Sequence, residues 1–213
     1  MARPYAKLYT NIWADPEFRQ LTANAQRLYM FLISQPEINR AGVLTMPTKR
    51  WTNAASDLTH NAVWDGITEL AAKGYVLVDE IEEELLVRSY IKNDDGWKSP
   101  TCAQAICNAV RRVRSPWLQA RVMREIRRLD LSTVSGKVNE RTGRSSRDYI
   151  TSLFDDLAND VNTDLDTPTH TLSDGVSDTP THRVSHTPTY TPCRAREHNY
   201  KYNYTYKCNY NCN

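Results

Sequence analysis

Residues 48–75 limit the fold of this chain more than any other stretch. They read TKRWTNAASDLTHNAVWDGITELAAKGY, in which two helical patterns flank a polar break at residues 56–57. In the second pattern, apolar or small residues recur at the spacing of one buried helix face: Val63, Gly66, Ile67 and Leu70. Thr59 is a suitable N-cap for this helix, and Gly74 is a typical residue to end it. The stretch therefore predicts two helices joined by a short turn.

Short β-like runs surround this helical pair. Residues 42–46 (GVLTM) precede it, and residues 75–78 (YVLV) and 85–91 (LLVRSYI) follow it as a hairpin. An apolar helical pattern over residues 22–32 comes before all of them. This order predicts an α+β fold in which residues 1–95 form a winged helix-turn-helix domain, a shape that places one helix in a DNA major groove.

The turn of the predicted hairpin is acidic, because residues 79–84 read DEIEEE. A wing that contacts DNA usually carries Lys or Arg, since phosphates supply much of the affinity. We therefore expect this wing to point away from DNA or to contact a protein. The second option leaves open a different function, in which the domain is a protein-interaction adaptor.

A basic helical hairpin is predicted for residues 96–131. Between residues 88 and 128 the chain carries ten basic residues and three acidic ones. Such a cluster favours contact with phosphates. Two alternatives remain open: a solvated helix face, or binding of the chain's own acidic segment, residues 148–178, which would compete with DNA.

The rest of the chain is predicted to form three further segments. Residues 132–147 are rich in Ser, Gly and Arg and resemble a flexible linker. Residues 148–161 predict a short amphipathic helix, which either packs back on the domain or docks into a partner's groove. Residues 162–213 carry DTPTH repeats and a Tyr/Asn-rich end, a composition typical of a disordered low-complexity tail.

No sequence pattern indicates catalysis, a metal site or a cofactor. The five cysteines lack the short paired spacing of a structural zinc site, and phosphate-binding and hydrolase motifs are missing. We therefore predict a protein that is not an enzyme. No run approaches the roughly 20 apolar residues that span a bilayer, so we expect no membrane contact and a cytoplasmic location.

The predicted DNA site combines the outward side of helix 59–73 with the basic hairpin. At the start of that helix, His60 and Asn61 are placed to reach base edges, and Asn61 suits a bidentate pair with adenine. The alternative is that both are ordinary polar residues at a helix N-terminus, and Trp64 could be half-buried against the wing. The complete predicted set is Lys49, Arg50, Thr59, His60, Asn61, Trp64, Thr68, Lys98, Arg111, Arg112, Arg114, Arg121, Arg124, Arg127 and Arg128.

Three segments carry a family resemblance: GVLTMPTKRWTNAA, ITELAAKGYVLVDE and ELLVRSYIKNDDGWKSP. Together they resemble winged-helix proteins of phages and prophages of actinobacteria and, more loosely, the N-terminal domain of phage replisome organisers. The resemblance covers residues 5–130 and implies binding to double-stranded DNA, either to open a replication origin or to regulate phage genes. Residues 59–73 correspond to the recognition helix. We expect a nucleoid-associated protein of the host cell, with a helicase or helicase loader as a candidate partner of residues 148–161. The oligomeric state is open, with a dimer as one option.

Overall fold

The computed structural model describes residues 5–161 and confirms the predicted α+β fold. The described part contains eight α-helices and five short strands. The helices are α1 (Pro16–Arg19), α2 (Ala23–Ile33), α3 (Thr48–Trp51), α4 (His60–Ala72), α5 (Tyr90–Asp94), α6 (Pro100–Val110), α7 (Pro116–Arg127) and α8 (Ser146–Asp160). The strands are β1 (Val43–Thr45), β2 (Val76–Asp79), β3 (Glu84–Val87), β4 (Val138–Asn139) and β5 (Arg144–Ser145).

A three-stranded antiparallel sheet, in the order β1-β3-β2, lies at the centre of the molecule. Strand β3 pairs with both neighbours, and all four of its residues are buried. Successive side chains of a strand point to opposite faces, so Leu85 and Val87 face one core while Leu86 faces another. Both faces of the sheet are therefore covered by helices.

Helices α2 and α4 cover the first face. Their contact is close at Gly66, where a Cβ atom would lie 2.8 Å from Leu28 Cδ2. The end of α4 is set by Gly74, whose φ of +75° is one that other residues rarely adopt. Strand β2 begins two residues later, so this glycine turns the chain from the helix into the sheet.

Helices α6, α7 and α8 form the core on the second face. Apolar side chains of α6 and α7 join Trp97 and Leu86 there. Helix α8 adds three buried side chains, Ile150, Phe154 and Leu157, and packs against α6. Of the two options for residues 148–161, the structure therefore has the apolar face of this helix packed on its own fold.

Residues 132–147 differ from the predicted flexible linker. They contain the β4–β5 hairpin and a buried Val134. The guanidinium of Arg147 donates to the carbonyl oxygens of Ser132 and Val134, each at 2.8 Å. Burial of Val134 and the hydrogen bonds of Arg147 to the backbone thus hold this segment in place, although its composition suggests a flexible linker. The predicted disordered tail, residues 162–213, lies outside the described residues.

Candidate nucleic-acid interface

The N-terminal half of α4 forms a surface patch with α3. Thr59 caps the helix, accepting a hydrogen bond from the Ala62 amide at 3.1 Å as predicted. His60 and Asn61 follow it and are exposed, and Lys49 and Arg50 of α3 are exposed as well. The two helices are linked because Thr48 Oγ1 lies 3.3 Å from His60 Nε2. We call Lys49, Arg50, His60, Asn61 and Trp64 the α4 patch.

Within this patch, Trp64 contacts both the core and His60. Its ring is half-buried against the core around α2 and α4. Its indole N–H donates to His60 Nε2 at 3.0 Å, and the two rings meet edge to face with centroids 6.2 Å apart. Trp64 is thus a support for His60 rather than a freely projecting side chain.

Two neighbouring side chains limit the patch. Thr68 Oγ1 donates to the Trp64 carbonyl at 2.8 Å, so its hydroxyl proton is used inside the helix. This places Thr68 poorly for the predicted base contact. Asp65 is exposed overall, but part of its side chain is shielded from water, and this raises the pKa of its carboxyl group. Its negative charge still disfavours close approach of a phosphate at this point.

The acids at the wing are not all on the surface. Asp79 and Glu84 are buried and hold the turn between α6 and α7. Ser115 Oγ donates to Asp79 Oδ2 at 2.6 Å, while the amides of Arg114 and Ser115 each donate to Glu84 Oε2 at 3.0 Å. The carboxylates of Asp79 and Glu84 therefore bind the α6–α7 turn inside the fold and do not add to the charge on the surface of the wing.

Several basic side chains of the hairpin are paired with acids of the same chain. Four of the predicted phosphate-binding side chains lie within ion-pair distance of a carboxylate: Lys98 with Asp95 at 3.1 Å, Arg111 with Asp160 at 2.7 Å, Arg114 with Glu84 at 3.5 Å and Arg128 with Glu125 at 2.9 Å. Two of these acids are about 30 and 50 residues away in sequence. Their pairing reduces the charge that this surface offers to phosphates.

The prediction is wrong for Arg121. This residue is 5% exposed, and its guanidinium carbon lies 5.1 Å from the ring centroid of Trp117, a cation–π geometry. An arginine inside the core cannot contact a phosphate. Arg112, Arg124 and Arg127 keep more accessible positions on the same hairpin.

The central sheet separates the hairpin from the α4 patch. Helix α4 packs on the face that carries Val76 and Val78, whereas α7 belongs to the core on the opposite face. Arg88 connects the two sides: its guanidinium donates to Glu125 at 3.0 Å and to the Gly74 carbonyl at 3.2 Å. The predicted base-reading residues of α4 and the arginines of α7 therefore lie on opposite sides of the sheet.

A groove of about 390 Å³ lies between α6 and the loop before β1 and was not predicted. Arg40 and Arg112 line it with apolar neighbours, and Arg40 also lies 3.6 Å from Asp94.

Residues 5–161 contain no cluster of His, Cys, Asp and Glu that suits a metal ion. Burial raises the pKa of the Cys107 thiol, which disfavours the reactive thiolate.

Comparisons with known proteins found no matching family model, no similar curated protein and no similar solved structure. In the described part of the chain, no helix has the length and apolar character needed to cross a membrane. The chemistry of the exposed side chains is therefore the basis for a functional proposal.

Proposed function

We propose that this chain binds double-stranded DNA through a winged helix-turn-helix, with α4 as the helix that enters the major groove. The proposal is supported by the element order α2, β1, α3, α4, β2, β3 and by the strand order β1-β3-β2, both of which are consistent with this motif. Recognition helices of this kind contact base edges with their N-terminal residues. In this chain that position belongs to His60 and Asn61.

The observation that carries the proposal is the exposure of the first turn of α4 beside two basic side chains. Lys49 and Arg50 are exposed and directly follow Thr48, whose hydroxyl oxygen lies 3.3 Å from the His60 ring, so two basic residues belong to the helix that contacts the start of α4. The amides at the start of a helix also favour an anion nearby. Asp65, in the second turn of the helix, limits the contact to the residues that precede it.

The basic hairpin has a smaller role in this proposal than its composition suggests. Three of its arginines, Arg111, Arg114 and Arg128, are paired with acids, and the sheet separates α7 from α4. Any phosphate contact from the hairpin would come from its exposed side, which includes Arg112 and Arg127. In this proposal, the α4 patch supplies most of the affinity for DNA as well as the sequence specificity.

The biological step is either the organisation of a phage replication origin or the regulation of phage genes, since the same DNA contact serves both. A helicase or loader cannot use the apolar face of α8, because Ile150, Phe154 and Leu157 are buried. A partner would have to recognise the outer side of α8, where Tyr149 is 38% exposed. The adaptor function keeps one supporting observation, the 59% exposure of Ile81 at the wing tip.

Selection from a random DNA library, followed by binding titrations at about 50 mM and about 200 mM salt, tests the proposal. The double variant Lys49→Ala/Arg50→Ala should lower the slope of log K against log salt by about 2, because each lost phosphate contact removes about 0.9. The matched control is Lys137→Ala/Arg141→Ala, which removes two exposed charges from the β4–β5 hairpin beside α8.

Equal slopes for the two double variants would exclude α3 from the DNA contact. Binding without salt dependence, or no binding at all, would favour the adaptor. Asn61→Ala should weaken the selected site by roughly 1–3 kcal/mol and leave non-specific binding nearly unchanged. A uniform loss on every sequence would instead assign Asn61 to the phosphate backbone.

A further inference from the structure

We propose that Trp64 fixes His60 in the tautomer that carries its proton on Nδ1, and that His60 thereby acts as a hydrogen-bond donor to guanine in the major groove. This inference rests on the proposed DNA binding for its second half. Its first half concerns the free protein alone. It assigns Trp64 as the positioning residue and His60 as a residue that determines specificity.

The tautomer follows from the chemistry of the two rings. An indole N–H can only donate a hydrogen bond, whereas a neutral imidazole has one donor nitrogen and one acceptor nitrogen. Trp64 Nε1 lies 3.0 Å from His60 Nε2, so Nε2 must accept. The proton of the neutral ring is therefore on Nδ1.

Thr48 is compatible with the same assignment. Its Oγ1 lies 3.3 Å from Nε2, and its hydroxyl can act as donor or acceptor, here as a second donor that shares the Nε2 lone pair with Trp64. A proton on Nε2 would suit Thr48 as an acceptor but would oppose the indole N–H directly. Because the indole has no alternative role as an acceptor, the Trp64 contact decides the tautomer.

The second ring nitrogen is the one available to a ligand. Within residues 5–161, the hydrogen bonds of the His60 ring are to Nε2, and the residue is exposed as the first of α4. The His60 ring is also held in place, because Trp64, its hydrogen-bond donor, packs against the core. The N–H is thus fixed in direction before a ligand arrives, which lowers the entropy lost on binding.

A fixed donor selects among base edges. Guanine presents two acceptors in the major groove, N7 and O6, whereas cytosine presents the N4 amino donor. Adenine offers N7 beside a donor, a pattern to which the neighbouring Asn61 is better suited, and thymine offers the single acceptor O4 beside its methyl group. We therefore assign guanine N7 or O6 to His60, next to the base contacted by Asn61.

Long-range ¹H–¹⁵N correlation spectra of the free full-length protein at neutral pH test the first half. We expect His60 to show a protonated Nδ1 and an unprotonated Nε2, and Trp64→Phe to shift the ring towards the Nε2–H form. A wild-type spectrum with Nε2 protonated would overturn the inference. Trp117→Phe serves as the control, because Trp117 belongs to the other core and should leave the His60 signals unchanged.

Binding to the selected DNA site with 7-deazaguanine placed at each guanine in turn tests the second half. One position should weaken wild-type binding by about three- to tenfold, the usual effect of a single hydrogen bond. His60→Phe should bind the natural and the modified site equally, while Asn61→Ala should keep the sensitivity. Single-position substitution of O⁶-methylguanine covers contact through O6 in the same way.

The outcomes separate this inference from the proposed function. DNA binding without any position whose modification depends on His60 overturns the base-reading role and leaves the proposed function standing. A complete lack of DNA binding overturns both, while the spectrum of the free protein still decides the tautomer.

Discussion

Replacing the buried Ser115 with alanine should destabilise the protein far more than removing a hydroxyl group from the surface would. Ser115 is fully buried, and its Oγ has two partners. It accepts from the Leu118 amide at 3.1 Å as the N-cap of α7, and it donates to Asp79 Oδ2 at 2.6 Å. The alanine variant loses the cap and leaves a buried carboxylate oxygen without its donor.

The two losses can be estimated separately. An N-cap contributes about 1 kcal/mol, and a hydrogen bond to a charged group contributes about 1.5–3 kcal/mol. The free energy of unfolding should therefore fall by about 3 kcal/mol. With a urea dependence of about 2 kcal/mol per molar, the unfolding midpoint should fall by about 1.5 M.

Urea unfolding followed by circular dichroism measures this change, and Ser99→Ala is the matched control. Ser99 occupies the equivalent position before α6 and is exposed, and its side chain makes no capping hydrogen bond. That variant should stay within about 0.5 kcal/mol of wild type. If Ser115→Ala lost less than about 1 kcal/mol, the buried contact between the wing and the α6–α7 turn would not have the role assigned here. A double-mutant cycle with Asp79→Asn would then show no coupling.

Three further predictions concern packing, the acidic tail and the N-terminal segment. Gly66→Ala should lower stability in urea by about 1–2 kcal/mol, because a Cβ 2.8 Å from Leu28 outweighs the gain in helix propensity of about 1 kcal/mol; a gain would show that Leu28 turns away freely. A chain ending at residue 161 should keep the wild-type melting temperature and bind non-specific DNA more tightly at low salt, because residues 162–178 compete for the same cations. A chain ending at residue 147 should lose most of its stability with the buried face of α8. Unchanged DNA affinity of the chain ending at residue 161 would exclude competition by the tail. Hydrogen bonds from Lys7 and Tyr9 hold the pKa of Asp95 below its usual range, so its small stabilising effect is present above about pH 4 and lost as the pH falls. Asp95→Asn should accordingly speed tryptic cleavage after Lys7 at neutral pH, and Asp130→Asn, another exposed acid with a lowered pKa, should not.

The basic hairpin shows why composition alone overstates an interface. A count of charges along the sequence identifies an excess of arginine between residues 88 and 128. It does not identify Glu84 and Asp160, which come from β3 and α8 and pair with Arg114 and Arg111. Nor does it show that Arg121 is buried over Trp117. Partners distant in sequence are fixed by packing, and local patterns contain no information about them.

The sequence by itself determined the helix that the proposed site depends on. The Thr59 cap, the apolar spacing from Val63 to Leu70 and the Gly74 stop are local signals, and the structure has α4 at His60–Ala72. Only the tertiary structure decided which polar groups remain on the surface. It turned Asp79 and Glu84 inward, ordered residues 132–147, and placed the sheet between α4 and the arginines. The physical reason is that helix formation depends on neighbours within a few residues, whereas burial and ion pairing depend on which elements pack together.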